Sequence, residues 1–232
     1  FKATMVAGSF FTDRSDELSG GGDILYTPVI KAMTVNNKSK QSEVTLQAAD
    51  QDKVTLTVQT HKEVSFLIED IDAARMKKSY SAMNQLAENA GFEVGEDLEV
   101  ALLSLMSGFS NSVGASTTNI ADSEILAAIA YLETNKVPGI HSGSVAFFLH
   151  PNVFWKQVQI LDKFSLAVNS PVNDPTAQKP KGMLYGIPVY TSPNVQNVSG
   201  TSGYYNGLAH KDAILYELNH CSIQKFQIHF EH

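Results

Sequence analysis

Residues 70–109 read DIDAARMKKSYSAMNQLAENAGFEVGEDLEVALLSLMSGF, and their apolar residues recur at steps of three or four. The stripe consists of Met76, Tyr80, Met83, Ala87, Ala90, Val94, Leu98, Ala101, Leu105 and Phe109. This spacing places side chains on one face of an α-helix. The stretch therefore predicts one very long helix, about 60 Å at about 1.5 Å per residue.

The predicted helix has a marked start and an interrupted interior. Asp70 is the expected N-cap, because acidic residues suit the positive end of a helix. Gly91 and Gly95 each cost about 1 kcal/mol relative to alanine. Two interpretations remain open, one bent helix or two helices that meet at residues 92–94, and we favour one bent helix.

The sequence before the helix alternates as β-strands do. Strands are predicted at 23–35, 44–48 and 54–58, with a polar loop tip at 36–42 and a second turn at 50–52. Pro28 has no N–H to donate, which predicts an edge strand. An isolated two-stranded hairpin is marginal in water, so this long hairpin is expected to lie on a partner.

The size of the chain limits how far it can cover these elements. A compact chain of 232 residues has a radius of gyration of about 17 Å. Neither the long helix nor the hairpin can then be fully covered from within, so the chain is interpreted as part of an assembly.

The remaining segments are predicted from their composition and period. Residues 1–22 end in a serine and three glycines and are interpreted as an arm rather than core. A helix capped by Asp122 or Ser123 runs through Leu132, and a helix opens at Pro151. Strands are predicted at 145–149, 185–191, 208–216 and 222–230, and residues 169–182 form a loop with three prolines.

Composition excludes some functions. The formal net charge of −7 repels phosphate backbones, which speaks against a dedicated DNA reader. No apolar run reaches the length that a membrane span needs, so no membrane partner is expected. The chain has no phosphate-binding glycine loop, no G-x-G-x-x-G and no G-x-S-x-G.

Candidate catalytic and metal-binding residues are equally sparse. Cys221 and His220 are neighbours on a predicted strand, so their side chains point to opposite faces. His229 and His232 are too few for a metal, which needs at least three ligands. We therefore expect no catalytic residue, no metal and no cofactor, and hence no enzyme.

Six segments in order resemble the major capsid proteins of tailed bacteriophages. They are GDILYTPVI, VTLTVQTHKEVSFLIEDIDAARM, ILAAIAYL, FFLHPNVFWKQVQIL, MLYGIPVYTSPNV and GLAHKDAILY. The resemblance implies an α+β chain with the Hong Kong 97-type capsid fold. Its parts would be an N-terminal arm at 1–22, an extended hairpin loop at 23–53, a peripheral domain with the spine helix at 54–115 and 217–232, and an axial domain at 116–216. Further peripheral-domain strands are expected beyond residue 232.

The resemblance also implies partners and contact residues. The chain would assemble with itself into pentamers and hexamers of an icosahedral virion shell, built in the host cytoplasm around double-stranded DNA without sequence-specific binding. Scaffolding, portal and decoration proteins are further possible partners. Candidate intersubunit contacts are Lys38, Lys40, Pro171, Pro175 and Pro180. Some relatives crosslink a lysine of this loop, a role that Lys38 or Lys40 could serve.

Two alternatives stay open at this stage. An encapsulin-type nanocompartment has the same fold but holds cargo protein instead of DNA. An enzyme or binding domain with a site of dispersed residues is the second, and a stable monomer in solution would favour it.

Overall fold

The computed structural model describes residues 5–18, 24–30, 33–44, 46–47, 51–58, 60–65, 81–161, 164–166 and 180–218. The chain divides into two compact units. The larger unit consists of Phe1–Thr12 and His61–Ile214, and the smaller of Asp13–Thr60 and Leu215–His232.

The described helices are α1 (Ala7–Phe10), α2 (Ser81–Ser104), α3 (Asp122–Thr134) and α4 (Pro151–Val153), which continues as a π-helical turn at Phe154–Val158. The strands are β1 (Thr12–Asp13), β2 (Ile24–Ile30), β3 (Gln51–Thr57), β4 (Val145–Leu149), β5 (Phe164–Leu166), β6 (Gly182–Leu184), β7 (Ile187–Thr191), β8 (Gly207–His210) and β9 (Leu215–Tyr216). Short 3₁₀ turns lie at Ser15–Leu18, Leu105–Gly108 and Lys211–Ala213.

The larger unit is built on a five-stranded sheet in the order β5-β6-β7-β4-β8. β4 pairs in parallel with β7, with Phe147 opposite Val189, and antiparallel with β8. All five residues of β4 are buried, as is typical of a strand that is covered on both faces. On one face, Phe147 joins a core with α3 and the turn after α4. Phe148 points to the other face.

Some predicted boundaries in this unit are wrong by a few residues. The strand predicted from Tyr185 begins at Ile187, because Tyr185 and Gly186 have φ values of 52° and 78°. Positive φ at both central residues is the geometry of a tight two-residue hairpin turn. The strand predicted at 208–216 is interrupted by a 3₁₀ turn, in which the Asp212 backbone N–H donates to Nδ1 of His210 at 3.2 Å.

The described part of the long helix is one element. α2 runs unbroken through Gly91 and Gly95, so the single-helix interpretation is confirmed there, and residues 66–80 lie outside the described residues. On α2 and the turn that follows it, this chain buries one face, which consists of Glu99, Leu102, Leu103 and Met106. The apolar stripe lies largely elsewhere, since Val94 is 44% and Leu105 is 53% exposed.

The two glycines of α2 differ in their surroundings, which makes a test. We expect Gly91→Ala to raise the free energy of unfolding by up to about 1 kcal/mol, because no atom lies within 4 Å of the added Cβ. At Gly95 the added Cβ would lie 2.8 Å from Sδ of Met5, so Gly95→Ala should gain less or destabilise. Urea unfolding of the unassembled subunit measures both, and equal gains would contradict the packing of Met5 on the helix.

The smaller unit contains the hairpin. β2 and β3 pair antiparallel, with Ile24 opposite Thr57 and Ile30 opposite Gln51. The second turn predicted at 50–52 is therefore wrong at Gln51 and Asp52, which lie within β3. Charged residues are tolerated there because the ribbon is exposed, and Lys53 lies over the ring of Tyr26 with Nζ 4.7 Å from its centre.

The hairpin is also less regular than its alternation predicts. The strand predicted at 23–35 ends at Ile30, and none of the described residues of 44–48 forms a strand. β1 and β9 form a separate two-stranded sheet, extended by the N–H of Arg14, which donates to the carbonyl of Tyr216 at 2.9 Å. The strand predicted at 222–230 lies outside the described residues.

Candidate functional site

The hairpin, residues 24–57, exposes large apolar side chains along its length. They are Ile24, Tyr26, Val29, Ile30, Met33, Val35, Val44, Leu46 and Val54. Val35 and Leu46 are 94% and 91% exposed, so they add almost nothing to the core of this chain. Exposed apolar side chains that are this numerous on one element indicate an interaction site.

Beyond the strands, a side chain joins the two sides of the hairpin. Oε1 of Gln47 accepts from the N–H of Thr34 at 3.0 Å, and Nε2 of Gln47 donates to the carbonyl of Thr34. Gln47 thereby continues the ladder where regular pairing has ended. The two arms of the hairpin are consequently still linked near the tip, where Val35 and Leu46 are exposed.

The tip itself carries the two candidate lysines. A turn at 39–42 closes the hairpin, with the N–H of Ser42 donating to the carbonyl of Ser39 at 3.3 Å and Gln41 at φ 70°. Lys38 and Lys40 are both exposed beside this turn. The structure thus brings these two predicted contact residues together.

Of the three candidate prolines, the structure describes Pro180. Pro180 is half-buried directly before β6, and the following Lys181 donates its N–H to the carbonyl of Val189 at 2.8 Å. Pro171 and Pro175 lie outside the described residues. The proline loop therefore stays a prediction.

A buried carboxylate, missed by the sequence analysis, holds the start of the chain. Glu99 is 1% exposed, and its oxygens accept from the N–H groups of Val6, Ala7 and Gly8 at 3.1, 2.9 and 3.4 Å. Burial raises the pKa of Glu99, and the three N–H groups and the hydroxyl of Ser192 oppose that rise. The only sequence signal is the helical spacing of Glu99 from buried Leu102, Leu103 and Met106.

An aromatic cluster completes this contact in the larger unit. The ring of Phe148 stacks on Phe11 at 5.2 Å and meets Phe10 edge-on at 5.3 Å, and Tyr190 lies 5.9 Å from it. Val6, Ala7 and Phe11 are buried. The interpretation of residues 1–22 as an arm outside the core is therefore wrong for these residues, because they cover the second face of the sheet.

Two further features, a metal site and a membrane-spanning helix, are absent from the described residues. No group of three or more histidine, cysteine, aspartate or glutamate side chains among them could hold a metal. None of the described helices is long and apolar enough to cross a membrane. Cys221, His220, His229 and His232 lie outside the described residues, so the sequence arguments about them stay predictions.

Comparison with known proteins gives similarity in structure only. No family model and no curated protein matches the chain. A structure from Mycobacterium phage Che8 superposes with a TM-score of 0.67 at 16% identity, over 93% of this chain and 77% of that one. The capsid structure of cyanophage P-SCSP1u gives 0.62 at 12% identity, over 93% and 75%. The mature capsid of bacteriophage PhiM1 gives 0.58 at 13% identity, over 87% and 67%.

These superpositions establish the fold. The chain has the α+β fold of phage capsid structures, as the resemblance of its sequence implied.

Proposed function

We propose that this chain, which has the α+β fold of phage capsid structures, is the major capsid subunit of a tailed bacteriophage. It assembles into pentamers and hexamers of an icosahedral shell that encloses double-stranded DNA. The observation that supports this most is the hairpin, whose large apolar side chains remain exposed in a chain of this fold.

The proposed mechanism is geometric. Each hairpin lies on a neighbouring subunit and removes its apolar side chains from water, at about 25 cal/mol for each Å² buried. The same contact covers strand edges that would otherwise pair indiscriminately. Axial domains at 116–216 meet around the rotational axes in heterologous ring contacts, with the tip lysines and the proline loop as intersubunit contacts.

The charge of the subunit fits a shell that encloses DNA and does not bind it. A subunit with a formal net charge of −7 repels packaged DNA, so the shell encloses it without sequence-specific binding. Assembly in the host cytoplasm, with scaffolding and portal proteins, belongs to the same proposal. The role is structural, and we propose no catalytic activity.

Negative-stain microscopy of the protein, expressed alone and with its neighbouring genes, tests the proposal. Closed shells with five-fold vertices are expected. Shells that contain protein cargo would instead support an encapsulin-type compartment, which the similarity to phage capsid structures does not favour. Small monodisperse particles under both conditions would overturn both shell functions.

A further inference from the structure

We infer that residues 5–12, here called the N-terminal latch, detach from the larger unit while its core stays folded. Glu99 is the main anchor of the latch. The inference goes beyond the proposed function and does not depend on it, because the contacts that carry it lie within the larger unit of one chain. The geometry assigns the latch three holding points.

The first holding point is the carboxylate of Glu99. It accepts three successive backbone N–H groups, those of Val6, Ala7 and Gly8. Oε1 and Oε2 both accept, so a glutamine at this position would set an NH2 group, which only donates, against backbone donors. When the latch leaves, these three donors and the carboxylate all return to water together, so they form and break as one group.

The second holding point is aromatic and the third is polar. Phe10 and Phe11 pack on Phe148, and Phe10 also lies 6.0 Å from the ring of Tyr190. At the end of the latch, Oγ1 of Thr12 donates to Oδ1 of Asp212 at 2.6 Å. The latch therefore lies on one face of the five-stranded sheet. The main hydrophobic core lies on the opposite face of that sheet and does not include the latch.

Docking is coupled to protonation because the anchor is ionisable. Around Glu99 the groups that act on it are neutral: the backbone N–H groups of α1 and the hydroxyl of Ser192, while β4 has no ionisable residue. Tyr190 on β7 stays protonated in the neutral range, since burial raises its pKa. On α2 itself, the ionisable residues within one turn before Glu99 are Glu96 and Asp97.

The sign of the coupling follows from the burial of Glu99. Burial raises the pKa of Glu99 in the docked state above its ordinary value of 4.5, and undocking returns the carboxyl to water. The docked state therefore binds the proton more tightly, and docking is most favourable below the ordinary pKa. As the pH rises from there through the raised pKa, docking weakens.

Amide hydrogen exchange of the full chain between pH 5 and 8 tests the latch directly. Rates are corrected for intrinsic exchange, and all variants are compared in one oligomeric form. Glu99→Gln should speed exchange at Val6, Ala7 and Gly8 at least tenfold and leave β4 protected, because β4 reports the core. Protection of the three amides should fall with rising pH in the wild type and stay flat in Glu99→Gln.

Matched controls separate the latch from general destabilisation. Glu93→Gln changes an exposed glutamate of the same helix and should exchange as the wild type does. Should Glu99→Gln not fold, Ser192→Ala removes only the hydroxyl and should speed the same three amides severalfold. The inference would be overturned if the three amides kept wild-type protection in both Glu99→Gln and Ser192→Ala, or if β4 lost as much protection as they do. It would also be overturned if their protection in the wild type were constant or rose with pH.

Discussion

Replacing Val35 and Leu46 together by aspartate is expected to abolish shell formation and to leave the subunit folded. The two side chains are 94% and 91% exposed, so their removal takes almost nothing from the core of this chain. In the shell that we propose, the same side chains would lie against a neighbour. Each substitution there loses about 1.5–3 kcal/mol of apolar burial and places an unpaired charge in an apolar contact.

The effect is large because a shell repeats the contact at every subunit. Losses of a few kcal/mol per interface shift each association step by orders of magnitude, at a factor of ten for about 1.4 kcal/mol. Sedimentation and negative-stain microscopy measure assembly, and far-ultraviolet circular dichroism with urea unfolding measures the fold. Intact shells from the double variant would mean that the hairpin is not the interface.

A matched control exists on the same tip. Asn37→Asp also adds a negative charge at an exposed position of the hairpin, but it replaces a polar side chain and removes no apolar surface. Shells should form from this variant as from the wild type. Failure of both variants would assign the defect to charge repulsion at the tip rather than to lost apolar contact.

The elements that sequence predicts well are those decided by local pattern. The helix predicted through Leu132 is α3, although its N-cap is Ala121 and not Asp122 or Ser123, and the run at 145–149 is β4 with the same bounds. Both follow from apolar spacing within a short window. The exposed hairpin also follows from local pattern. Apolar residues alternate along both of its predicted arms, and a chain of this size cannot bury all of them.

The elements that sequence predicts poorly depend on distant contacts. Val6 bonds to a carboxylate 93 residues away, and no window of the sequence contains both. A glutamate in an amphipathic helix is ordinarily assigned to solvent, so the helical spacing of Glu99 from three apolar residues was too weak a signal to predict a buried anchor. The buried face of α2 and the turn after it also depends on distant contacts. Met106 in that turn packs so closely on Gly207 that a Cβ there would meet the Met106 sulfur.

The contact between Phe11 and Phe148 of β4 can be measured by mutation. Phe148→Ala is expected to lower the free energy of unfolding by about 3–5 kcal/mol, because Phe148 is 1% exposed and fully enclosed. Part of this loss should depend on Phe11, whose ring stacks on it at 5.2 Å. A double-mutant cycle of Phe11→Ala with Phe148→Ala, read by urea unfolding, should give a coupling of about 0.5–1.5 kcal/mol.

The neighbouring residue on β4 supplies the control. Phe147 is also buried, but it belongs to the core on the opposite face of the sheet. Phe147→Ala should destabilise the protein by a similar amount, and its coupling to Phe11→Ala should be close to zero. If Phe11 coupled to neither phenylalanine, its ring would not contribute to stability through β4. Coupling confined to Phe148 would show that the start of the chain forms one layer of the fold.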